Sequence, residues 1–227
     1  MASANTVVLI LGSGPNIGQH VARAFAAKGY KVALTSRKPT ENTSTDGIHI
    51  QSDLSDPDSV AGVFAKVKES LGIPSVVVYN AASGTSNKAT NPLSISEADF
   101  TRDLNVNTIS AFVAAQQAAI GFAELPDSAS KTFIYTGNIL NTAIIPPLLS
   151  LGVGKSATAH VIQSAAAAYD DRGFKFYYAD ERKPDGAPAY SSVDGEAHGK
   201  FYVELAGGKA QGPWLQTFVK DFGYKSF

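Results

Sequence analysis

Gly12-Ser13-Gly14-Pro15-Asn16-Ile17-Gly18 places three glycines in seven residues, between an apolar run and a stretch with helical spacing. Glycine lets the backbone approach a phosphate, and a helix start offers unpaired N–H groups at the positive end of its dipole. That combination suits a dinucleotide pyrophosphate; the same turn would also serve as a plain strand-to-helix connection. Ser36-Arg37-Lys38 ends the next apolar run. An acid at that point would take the ribose hydroxyls of NAD, whereas the Arg37 guanidinium suits a 2′-phosphate, so NADP is favoured over NAD. A solvated cation pair at a strand end is the competing reading.

Other chemistries lack their residues. His20, His49, His160 and His198 stand at no metal-ligand spacing, and cysteine is absent, so no metal site and no disulfide is expected. No Gly-x-Ser-x-Gly elbow surrounds Ser13 or Ser83, which removes the usual setting of a hydrolase nucleophile. Nineteen Lys plus Arg against twenty Asp plus Glu leaves a net charge of −1, so neither nucleic acid nor an anionic membrane is an expected partner.

The elements that must position these residues follow from pattern. Thr6 to Leu11, Lys31 to Ser36, Ile48 to Ser52, Ser75 to Tyr79, Thr132 to Thr136 and Phe174 to Tyr178 read as strands. Helices are expected over Pro15 to Lys28, from Ser55 as N-cap through Pro57 to about Leu71, from Ser96 to about Glu124, and over Gly152 to Tyr169. Continuous apolar strands alternating with helices predict an α/β fold: a Rossmann-type, doubly wound parallel sheet with helices on both faces. The 227 residues, 44% hydrophobic and 17% charged, form one expected domain over 1–227. Ala179 to Ser192 is full of turn formers and reads as a long loop; Val193 to Leu205 has helical character, and Trp214 to Val219 has that of a last strand. No window approaches the ~20 apolar residues that span a bilayer. Met1 to Thr6 lacks the basic start of a secretory signal, so the expected location is cytoplasmic.

From about Val7 to Ala168 the sequence resembles the short-chain dehydrogenase/reductase family. Gly12 to Gly18 is similar to its Thr-Gly-x-x-x-Gly-x-Gly turn, with Leu11 for Thr and Asn16, a residue tolerant of left-handed backbone, for the middle Gly. The resemblance implies that Gly12, Ser13, Asn16, Ile17 and Gly18 hold the cofactor, with Ser36 and Arg37 at its ribose. Asp53-Leu54 resembles the pair whose acid and neighbouring backbone hold adenine, and Asn80-Ala81-Ala82 the Asn-Asn-Ala-Gly signature bordering the cofactor. Asn107, within Leu104-Asn105-Val106-Asn107-Thr108, sits where the family places a structural and catalytic Asn.

The departure lies at the proton donor. The family's Tyr-x-x-x-Lys pair lands on Leu151-Gly-Val-Gly-Lys155, and its serine on Asn138. An ammonium lowers a tyrosine pKa from about 10 so that the phenol can exchange a proton near neutrality. Leucine has none, and losing a general acid costs on the order of 10²–10⁴ in rate. Lys155 retains the implied role of binding the nicotinamide ribose. Asn138 either donates an amide hydrogen bond to a carbonyl or forms the turn after its strand. Tyr135, Tyr177, Tyr178, Tyr190 and Tyr202 read as packing, and Asp180 and Glu181, where the family has a Pro-Gly turn, as solvated loop acids or a replacement base. What the resemblance implies is an NADP(H)-dependent oxidoreductase for a small carbonyl or alcohol with an altered proton-transfer site. The alternative is a non-redox enzyme of specialised metabolism, or a cofactor-binding pseudoenzyme or regulatory subunit. The resemblance also implies that Ala179 to Gly212 covers the substrate and that the helices from Ser96 and Gly152 pair into a homodimer or homotetramer; their apolar faces equally suit burial within one subunit.

Overall fold

The computed structural model describes residues 6–38 and 47–227; most of the segment read for a secretory signal lies outside them. In chain order the main elements are β1 (Val7–Leu11), α1 (Ile17–Ala26), β2 (Lys31–Ser36), β3 (Gly47–Gln51), α2 (Asp58–Ser70) and β4 (Val76–Tyr79). Then come α3 (Glu97–Leu104), α4 (Ser110–Glu124), β5 (Thr132–Thr136), α5 (Leu149–Ala168), β6 (Lys175–Arg182), α6 (Gly195–Gly207), β7 (Leu215–Val219) and β8 (Gly223–Tyr224). The eight strands form one sheet in the order β3-β2-β1-β4-β5-β6-β7-β8, parallel except for the β7–β8 pair. The chain is a doubly wound α/β domain, as expected.

Strand alternation divides the core in two. Leu9, Val77, Phe133 and Phe176 pack with α2, α4 and α5, whereas Val8, Val78, Ile134 and Tyr177 pack with α1 and α6. Because both faces are covered, β1 is buried at every residue, which explains its unbroken apolar run. Among the described residues no helix is long and apolar enough to cross a membrane.

Four local expectations are corrected. The residue before α2 is Pro57, not Ser55; the Ser55 N–H and hydroxyl donate instead to Asp53 Oδ1, at 3.0 and 2.9 Å. Asn16 has φ −86°, so the left-handed position in the glycine turn is Gly12, at φ +94°. The long helix, capped by the Ser96 hydroxyl, is interrupted by a π turn over Asn105–Ile109. Finally, β6 does not end at Tyr178. It continues to Arg182, paired in register with β7 from Tyr178↔Leu215 to Arg182↔Val219, so Asp180 and Glu181 are strand residues and buried.

Candidate active site

The β1–α1 turn is shaped by close approach. A Cβ on Gly12 would stand 2.7 Å from Ala81 N, and one on Gly18 2.6 Å from Ser13 Cα. Asn80 Nδ2 donates to Gly12 O at 2.8 Å, and the Ala81 N–H to Leu11 O at 3.2 Å, so Asn80-Ala81 fastens the turn to the end of β4. Among the described residues Ser13 Oγ is buried without a hydrogen-bond partner, and the first turn of α1 carries neither a side-chain cap nor an acid. An orphaned hydroxyl beside an uncapped helix start fits a diphosphate. Asn16 faces elsewhere. Its Nδ2 donates to Val193 O and its Oδ1 accepts from Gly195 N, both at 3.0 Å, tying the start of α1 to the start of α6.

The chain is more exposed at the C-terminal ends of β2 and β3. Ser36 Oγ donates to Lys38 O and meets His49 Nε2, each at 2.7 Å, while the Arg37 side chain is exposed. Hydrogen bonds from the Ser55 N–H and hydroxyl hold the Asp53 carboxyl below its usual range. Leu54 belongs to the core, and its carbonyl accepts from Ser110 Oγ at 2.7 Å.

A cavity of about 270 Å³ lies over the C-terminal ends of β4, β5 and β6, where doubly wound sheets bind ligands. Ile17, Asn80, Ala82, Asn138, Leu151, Lys155, Tyr190 and Val193 are among the residues that line it. Lys155 is buried, donates to Thr136 O at 2.8 Å and stands 4.4 Å from the centre of the Tyr135 ring. Burial pushes its pKa down to about 7, against the opposing pull of Asp180. The Asn107 side chain is committed to Ser83, accepting from its N–H at 3.1 Å and donating to its carbonyl at 2.5 Å. Its own carbonyl, released by the π turn, accepts from Tyr135 Oη at 3.0 Å and Thr158 Oγ1 at 2.6 Å. Asn138 Oδ1 accepts from Leu140 N at 3.0 Å, the turn-forming role, while no hydrogen bond from its Nδ2 is seen among the described residues.

The neighbouring tyrosines are already engaged. Tyr178 Oη donates to Asn138 O at 2.7 Å and accepts from Asn138 N at 3.1 Å; Tyr202 Oη pairs with Thr136 Oγ1 at 2.9 Å. Burial pushes the phenols of Tyr135, Tyr178 and Tyr202 up, away from proton exchange near neutrality. Tyr190, at the mouth, is 63% exposed. Leu151 keeps its place in the wall, with its Cβ 3.2 Å from where a Cβ on Gly84 would be.

Asp103 escaped the sequence reading, and Asp180, read as a solvated loop acid or a replacement base, is buried in a strand. Asp103, fully buried, accepts from Ser83 Oγ and Ser150 Oγ at 2.6 Å and from Thr85 N at 2.7 Å, so one carboxylate ties the segment after β4 to the first turn of α5. Burial opposes its charge, but the hydrogen bonds from Ser150, Ser83 and Thr85 outweigh it and hold the carboxyl below its usual range. Asp180, 1% exposed, lines the cavity with Lys155. Burial raises its pKa to about 6, although Arg182 and Lys155 oppose the rise. Acid-rich, turn-prone sequence masked it; an even-numbered offset from Tyr178 along a longer strand was the available signal.

Comparison with known proteins agrees with this geometry. The family described as enoyl-(acyl carrier protein) reductase matches residues 12–177. The short chain dehydrogenase/reductase dmxR12 of Cryptosporiopsis sp. (strain 8999) is 49% identical over 232 residues, covering 97% of this chain and 94% of that protein. Among solved structures, a 3-oxoacyl-[acyl-carrier protein] reductase from Brucella melitensis superposes with TM-score 0.79 at 19% identity, covering 91% of this chain and 92% of its own. BdcA in complex with NADPH superposes with TM-score 0.77 at 20% identity over 100% of this chain and 98% of its own. These two likenesses are of fold.

Proposed function

The chain belongs to the short-chain dehydrogenase/reductase family, a family of oxidoreductases, and from that premise we propose that it is an NADP(H)-dependent oxidoreductase for a small carbonyl or alcohol, with an altered proton-transfer site. The observation that carries the reading is the conjunction of an orphaned Ser13 hydroxyl at the uncapped start of α1 with a buried lysine in a cavity that Ile17, from the first turn of the same helix, also lines. In this reading the turn from Gly12 through Ile17 to Gly18 holds the diphosphate through Ser13 and backbone N–H groups, Asn16 contributing its backbone alone. Ser36 and Arg37 meet the 2′-phosphate, and Asp53 with Leu54 borders adenine. Asn80, Ala81, Ala82 and Lys155 flank the nicotinamide riboside. The bound cofactor supplies the hydride. Asn107 positions the floor through Ser83, and Asn138 offers its amide Nδ2 to a substrate oxygen.

Calorimetric titration with NADPH and NADH tests the reading. Saturable binding is expected, tighter for NADPH, with the preference reversed in Arg37→Asp; no saturable binding of either overturns it. The hydrocarbon at Leu151 favours one competing reading, a family member that performs no hydride transfer. NADPH absorbance followed across a carbonyl panel, with turnover lost in Lys155→Ala, would rule that out. A homodimer or homotetramer would use the α4–α5 face, where a groove of about 770 Å³ runs beside exposed Phe112 and Ile120. Light scattering giving a monomer mass would reject it.

A further inference from the structure

We propose that Asp180 exchanges the proton with the substrate oxygen, doing from the end of β6 what the hydrocarbon of Leu151 cannot do from α5. The proposal rests on the oxidoreductase reading above and goes beyond it by naming the acid. Alternation along β6 sends Tyr178 and Asp180 to the α5 face, and Ala179 and Glu181 to the α6 face. Asp180 shares one cavity with Lys155; Glu181 lines that cavity as well, but its carboxylate is engaged toward α6, where its Oε2 accepts from Asp194 N at 2.8 Å and lies 3.5 Å from His198 Nδ1.

The hydrogen bonding of Asp180 leaves it half engaged. Arg182 Nε and Nη2 both reach Oδ2, at 2.6 Å, and among the described residues no hydrogen bond reaches Oδ1. A carboxyl used only for structure at this depth would have both oxygens satisfied, as Asp103 does with Ser83, Ser150 and Thr85. Arg182 is itself fixed, donating from Nη1 to Gly186 O at 3.0 Å. The charged and titratable groups around Asp180 are Lys155 from α5, His198 and Tyr202 from α6, Tyr190 in the cavity wall, and Tyr178, Glu181 and Arg182 from its own strand; its partner on β7 is the neutral Thr217. With its pKa raised to about 6 beside a lysine lowered to about 7, the carboxyl can be found in either form near neutrality.

In reduction, bound NADPH would supply the hydride for the new C–H bond as the carbonyl π pair moves to oxygen. Oxygen takes the Asp180 proton, and the carboxylate left behind faces Arg182 and Lys155. Alcohol oxidation runs the same transfers backwards. The two directions therefore need opposite forms of one group, giving kcat for reduction that falls, and kcat for oxidation that rises, as pH passes through the Asp180 pKa.

The test uses the full chain with NADPH and a carbonyl panel, and with NADP⁺ and the matching alcohols. Asp180→Asn should keep NADPH affinity within about threefold, lose about 10²–10⁴ in kcat, and lose both opposed pH limbs. Asp180→Glu should restore part of the rate and the limbs. Since Asp180→Asn leaves Arg182 buried without its partner, carbon-13 NMR of the aspartate carboxyls in the wild-type protein supplies an independent reading. One carboxyl should titrate near pH 6, and it should disappear from the spectrum of Asp180→Glu. Wild-type turnover and limbs in Asp180→Asn, or no aspartate titrating above about pH 5, overturn the proposal while the oxidoreductase reading stands. A wild-type protein that binds neither cofactor overturns that reading, and the proposal with it.

Discussion

The two parts of the candidate site are built from different features of the chain. From Gly12 to Asn80 they are features of backbone geometry: a positive φ, two approaches too close for a Cβ, an uncapped helix start and an orphaned hydroxyl. Around Lys155 they are side chains, and in the proposed reading the family pattern has changed there. Phenols are tied to Asn138, Asn107 and Thr136, Leu151 stands where that reading puts the proton donor, and a strand extension brings in an acid. Backbone recognition tolerates substitution wherever the chain path survives, whereas proton transfer depends on which atom ends the side chain. A cofactor site can therefore persist while the chemistry beside it is rebuilt.

The sharpest test of that contrast is Leu151→Tyr in the Asp180→Asn background. A phenol returned above Lys155 should recover about 10²-fold of the lost reduction rate, measured by NADPH absorbance, and no recovery would break the contrast. Next in size is Gly12→Ala. The φ of +94° and the backbone atoms of Ala81 should cost about 1–3 kcal/mol in urea melts, with NADPH affinity at least tenfold weaker. Unchanged affinity would mean that the turn is not the diphosphate site.

Lys155→Met probes the other part of the site through pH. The folded-state pKa of about 7 lies below the usual lysine value of 10.5, so the native state holds fewer protons than the unfolded chain between those pH values. Wild-type stability from this group is present above that window and lost as pH falls through it. The Tm of Lys155→Met should gain on the wild type between pH 10 and pH 7, and a pH-independent difference would contradict the buried amine. The smallest effect is expected from Asn16→Ala, which unties α1 from Val193 and Gly195. It should cost about 1 kcal/mol of stability and change NADPH affinity less than threefold.

How legible each region was follows the same division. The strands flanking the glycine turn were readable because burial on both faces demands unbroken apolar runs, as in Val7–Leu11 and Val76–Tyr79. The absence of a phenol at Leu151 was readable as well. The role of Asn16 was not, since its partners lie 177 and 179 residues away. Nor was the burial of Asp180, whose neighbours in sequence, Glu181, Arg182, Lys183 and Pro184, look like surface.

Local pattern determined the layered sheet, the glycine turn and the missing hydroxyl, because periodicity, steric freedom at glycine and the atoms of a side chain are properties of short segments. Tertiary structure alone decided that β7 would lengthen β6 and that Arg182 would fold onto Asp180. It also decided that Lys155 would be closed away from water. Desolvation and ion pairing depend on which distant segments share a volume, and that volume exists only once the sheet has assembled.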